Sequence, residues 1–111
     1  MPLSYAIVPK QPGENEPWSF EYIPGKNIPV GDSLIGTPTV QCFEIISKTD
    51  TTVVAETTLT MIEGVTRSGN TVLWRVKGGT SGKWNKATVK ANTTLGGQNI
   101  EEDIVFQVIE Y

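Results

Sequence analysis

The sequence predicts an all-β protein, and three observations carry that prediction. Val (11), Ile (10) and Thr (14) supply 35 of the 111 residues, against five Leu; β-branched side chains lose rotamer freedom in a helix but pack well on a pleated sheet. Several short runs place apolar residues at every second position, the period of a half-buried strand. Between them stand clusters of Gly, Asn, Asp and Ser that favour chain reversals. With 38% hydrophobic residues, 111 residues make one domain with the material for a core.

Residues 1–17 read as an extended arm. Pro9, Pro12, Pro17 and Gly13 interrupt it, and Lys10, Glu14 and Glu16 solvate it. Residues 18–111 read as the folded unit. The first strand is expected over 18–23, where Trp18, Phe20 and Tyr22 make one aromatic face. Residues 28–35 hold Pro29 and the turn-forming pair Gly31-Asp32, which suits an edge or corner. Strands follow over 39–47, briefly over 53–55, and over 57–63, where Leu59 and Met61 alternate with threonines.

Residues 70–77 give the clearest amphipathic strand, with Val72, Trp74 and Val76 on one face and Trp74 as the expected core tryptophan. Three glycines, Gly78, Gly79 and Gly82, permit a tight loop before a long strand over 84–94. A hairpin turn at 95–99 then leads to the closing strand, 101–111, which places Ile104, Phe106 and Val108 on one face. About seven antiparallel strands in fewer than 100 residues suggest an immunoglobulin-like sandwich without its Cys…Trp…Cys signature, Trp84 standing where a corner tyrosine is common.

Composition narrows function. The chain has no histidine, which removes Ser-His-Asp and Cys-His catalysis and imidazole metal ligands. The lone cysteine, Cys42, cannot form an intrachain disulfide and reads as a small buried hydrophobe. A net charge of −3 without a basic cluster argues against nucleic acid. The N-terminal apolar run, residues 5–8, is too short for an export signal or a membrane span, so synthesis in the cytoplasm is expected. Glu101, Glu102 and Asp103, and Asp32 with Asp50, lack the spacing of a calcium loop and read as a solvated acidic face. No metal, cofactor or catalysis is expected.

The order of Lys10-x-Pro12-x-Glu14, the aromatic strand at 18–22, Gly31-Asp32-Ser33, Thr71-Val72-Leu73-Trp74, Gly78-Gly79-Thr80-x-Gly82, and Thr94-x-x-Gly97 leading to Glu102-Asp103 and Glu110-Tyr111 resembles small virion proteins of tailed bacteriophages and prophages. These are the fibre-tail adaptor, neck and tail-associated proteins. The resemblance runs from about residue 9 to the C-terminus. It implies an immunoglobulin-like domain, without catalysis, that assembles with copies of itself or other tail, neck or fibre proteins in the virion. Trp84 stands where that pattern has a tyrosine, and the strand bearing Cys42 and Phe43 is more apolar than in the pattern.

Interfaces are therefore the expected sites. Tyr5, Ile7 and Val8 of the arm are suited to adding a strand to a neighbour's sheet edge. Val105, Ile109 and Tyr111 are expected as an outward apolar stripe, the opposite face from Ile104 and Phe106. Trp18 is a further interface candidate. The alternative function is a carbohydrate-binding or adhesive module, with Trp18, Tyr22 and Trp84 as a stacking platform.

Overall fold

The computed structural model describes residues 7–10, 12–95 and 99–109. Among them are strands β1 (Ile7–Lys10), β2 (Glu16–Glu21), β3 (Leu34–Ile45) and β4 (Val53–Glu56), the single helical turn α1 (Thr58–Met61), and strands β5 (Ile62–Ser68), β6 (Thr71–Val76), β7 (Trp84–Thr93) and β8 (Asn99–Val108). One sheet has the order β1-β8-β7-β3-β4, the other β2-β6-β5. Every pairing is antiparallel except that of β1 with β8.

This is the immunoglobulin arrangement of a β-sandwich. The order β2-β6-β5 corresponds to strands B-E-D, and β8-β7-β3-β4 to G-F-C extended by C′. Antibody domains join B to F by a disulfide between the sheets. Here the B strand instead carries Trp18. Its ring meets Phe106 of the opposite sheet edge-on at 4.8 Å between centroids and Trp74, its cross-strand partner, at 6.4 Å. Aromatic pairs of this kind contribute on the order of 1 kcal/mol each beyond their burial. Trp74 is buried as its strand's alternation predicts, with Val72 and Val76 on the same inward face.

Local chemistry departs from the simple strand pattern at residues 58–61. Alternation would put Leu59 and Met61 on one face. The chain instead makes one turn, closed by the Met61 N–H donating to the Thr57 carbonyl at 3.0 Å. Positions two apart on a helix do not share a face, so Met61 is buried while Leu59 is 94% exposed. The turn carries the chain from the edge of one sheet to the edge of the other. Cys42 faces the core, and burial pushes its thiol up to about 11 against hydrogen bonds from Thr57 and Phe43. That is the environment of an unreactive structural cysteine.

Candidate functional site

The two edges of the five-stranded sheet are built differently. At one edge β1 lies on β8 in the register Ile7↔Val105 to Lys10↔Val108, and the Ile109 N–H donates to the Lys10 carbonyl at 2.7 Å. Pro9 carries no N–H, which an outermost strand tolerates. Lys10 is fully buried; its Nζ donates to the Glu14 carbonyl at 2.5 Å and the Gly78 carbonyl at 3.5 Å, and lies 3.9 Å from the Glu16 carboxylate. Burial lowers the ammonium's pKa, while Glu16 and Glu14 pull it back up. Gly79 completes this corner. At φ +98° a Cβ there would lie 2.7 Å from the Val108 side chain, so only glycine lets the β6–β7 loop close over β8.

The opposite edge, β4, is bare. All four of its residues are exposed, Val53 and Val54 by 47% and 58%. Ile46, next to the residue that pairs with Val53, and Leu59, in the turn that follows β4, are exposed as well. An outermost strand with unpaired backbone groups and apolar side chains is a ready template for another strand. In the sequence the Val53-Val54 pair between polar runs is the one signal of this edge. Its exposure follows from strand order, which the pattern does not contain.

The expected interface residues do not gather on one surface. Trp18 packs between the sheets rather than at an interface, because its face of β2 is the inward one. Val105 points to the outer face of its sheet as alternation requires, yet is only 1% exposed, so it offers no open stripe; Ile109 beside it is half-buried. The backbones of Ile7 and Val8 lie in β1 on this chain's own β8. Tyr5 and Tyr111 lie outside the described residues. Of the aromatic platform, Tyr22 is fully buried and Trp18 faces inward, while Trp84 is half-buried on the outer face of its sheet.

The acidic run on β8 divides between the two faces of the sheet. Glu101 pairs with Lys90 at 3.6 Å and Asp103 accepts from the Thr88 hydroxyl at 2.7 Å. Glu102 points inward, 1% exposed, and neither of its carboxylate oxygens has a hydrogen-bond partner among the described residues. Its negative charge, behind burial itself, helps to raise the pKa of the Tyr22 hydroxyl. Among the described residues no three His, Cys, Asp or Glu side chains are grouped as a metal site would need.

At the end of the sandwich where β7 turns into β8, Asp32 ties two loops together. Its Oδ1 accepts from the Ser33 N–H (2.9 Å), the Thr94 hydroxyl (3.0 Å) and the Leu95 N–H (3.0 Å). Burial acts to raise the carboxyl's pKa, but the hydrogen bonds from Leu95, Ser33 and Thr94 outweigh it and hold the group below the ordinary aspartate range. The clamp leaves Val30 and Leu95 exposed at that end.

At the other end a recess of about 230 Å³ opens beside β3 and β7, between the α1 turn and the β6–β7 loop, lined by Glu44, Thr57, Thr60, Met61, Gly79, Thr80, Lys83 and Asn85. Glu44 and Asn85 are cross-strand partners on β3 and β7. Sequence reading did not single them out, since they come together only through this register.

Comparison of the chain with protein-family models, with curated proteins and with solved structures finds no match.

Proposed function

We propose that this chain is a structural protein of a tailed-phage virion, an adaptor that joins tail, neck or fibre components through protein–protein contacts. The observation that carries the reading is the bare β4 edge. Among the edge strands, β4 is the one whose four residues are all exposed, Val53 and Val54 with them, which suits it to accept an extended segment of a neighbouring virion protein, whereas β1 at the other edge of the long sheet carries Pro9, which has no N–H to donate. The resemblance in the order of motifs from Lys10 to Tyr111 supplies the virion context. The same reading makes the chain non-catalytic, cofactor-free, independent of nucleic acid and membrane, and repeated in several copies around the particle. The carbohydrate-binding alternative has less support, since Trp18 and Tyr22 pack into the core and leave no shared aromatic surface with Trp84.

Peptide mass spectrometry on density-purified particles from a host that encodes the chain tests this directly. Recovery at a fixed low ratio to the major capsid protein is the expected result and gives the copy number. Complete, infectious particles that lack the chain would overturn the reading.

A further inference from the structure

Residues 23–31 join β2 to the Asp32 clamp, and little fastens them to the sheets. Only Ile28 among them is buried. Their hydrogen bonds close on the segment itself: the Gly25 N–H donates to the Ile28 carbonyl at 2.7 Å, and the Lys26 and Asn27 N–H groups to the Ile23 carbonyl at 2.9 and 3.1 Å. Among the described residues, the bonds that leave the segment reach only its two stems, from the Asn27 amide to the Glu21 carbonyl and from the Asp32 N–H to the Pro29 carbonyl. Exposed backbone with few outward bonds belongs to the low-stability end of a fold. Gly31, at φ +83°, gives the segment a turning point beside the clamp.

Tyr22, at the start of this segment, is fully buried. Its hydroxyl donates to the Val89 carbonyl at 3.5 Å, longer than the usual O–H···O distance of about 2.8 Å. Val89 is the register partner of Glu102, so the phenol ends beside the inward carboxylate. Both oxygens of that carboxylate are enclosed and accept no hydrogen bond among the described residues. The cation at this level of the sheet, Lys90, lies on the outer face with Glu101. Enclosing a carboxylate without donors costs free energy that water returns. Lifting Tyr22 lets water reach Glu102, so this cost falls on the closed state and not on the opened one.

We propose that Tyr22 and residues 23–31 form a lid that opens while the sandwich stays folded, turning at Gly31 and drawing Tyr22 away from Glu102. The lid stands apart from the β4 edge, and the inference does not depend on the adaptor reading. Native-state hydrogen exchange on the full ¹⁵N-labelled chain tests it. The Tyr22 amide, bonded to the Asn70 carbonyl at 2.8 Å, reports the lid, and the Ala87 and Val89 amides inside β7 report global unfolding. The Tyr22 amide should exchange through an opening at least about 100-fold more populated than the global one. Glu102→Met removes a cost borne by the closed state alone, so it should slow the Tyr22 and β7 amides by the same factor, about fivefold. Glu102→Gln, uncharged and of the same shape, should act in the same direction. A Tyr22 amide that exchanges no faster than those of β7 would overturn the proposal. So would one that neither folded variant slows, because Glu102 would then stay enclosed while the segment moves.

Discussion

The long sheet ends in two edges that meet opposite fates. At the β8 side, a strand from the N-terminal segment lies in parallel register, and the buried Lys10 ammonium fastens it to the carbonyls of Glu14 and Gly78. At the β3 side, β4 is four residues long, pairs on one flank only and exposes Val53 and Val54. Sheet edges are a liability that proteins usually cover, charge or shorten. Here the strand at one edge is interrupted by Pro9 and fastened by a buried cation, and the strand at the other is short but apolar. The difference teaches that fastening the N-terminal strand at its edge takes specific chemistry, a buried cation and a glycine corner, whereas β4 is held by its short pairing with β3.

The sharpest way to break the fastened edge is Gly79→Ala. The residue combines φ +98° with a Cβ position 2.7 Å from Val108, so backbone strain and overpacking together should cost about 3 kcal/mol. Chemical denaturation would measure it as a lower midpoint at an unchanged slope. Lys10→Ala comes next. It leaves the Gly78 and Glu14 carbonyls without their donor and should cost about 2 kcal/mol, with faster amide exchange confined to β1 and the neighbouring flank of β8.

On the same β8 strand, Glu102 provides a change of opposite sign. Its buried carboxylate has no hydrogen-bond partner among the described residues, so Glu102→Met, close in volume and without charge, should raise stability by about 1 kcal/mol in thermal or denaturant unfolding. A loss of stability would show that the carboxylate is held by something other than this core.

The Asp32 clamp lies away from both edges and separates edge effects from loop effects. Its folded pKa is depressed, so its contribution is complete above the unfolded value of about 3.9 and is lost as pH falls through the lower folded value. Asp32→Asn should therefore be less stable than the parent at neutral pH, and the gap should close in acid. Denaturation midpoints across that window check the sign. The smallest effect on stability belongs to the open edge. Val54→Lys places a charge on an exposed strand and should change unfolding free energy by less than about 0.5 kcal/mol.

Much of the sandwich was legible in the sequence because its period-2 strands are long. The inward faces of β6 and β8, the core position of Trp74 and the pairing of the last two strands all follow from alternation and turn chemistry. The turn at Thr58–Met61 was not legible, because Leu59 and Met61 among threonines imitate a strand over so few residues. Nor was the pairing of β1 with β8, which joins residues nearly a chain length apart. Alternation put Val105 on the outer face, but it says nothing of what lies over that face, and Val105 is buried there. The open edge and the recess depend on strand order and register, through β3–β4 and Glu44↔Asn85, and these are properties of the assembled sheet.

The most direct measurement of the docking role of the open edge is incorporation of the Val54→Lys chain into particles, quantified against the parent chain after both are shown to unfold at the same temperature. The expected result is a folded variant that is depleted from or missing in purified virions. Incorporation equal to the parent would contradict a docking role for β4.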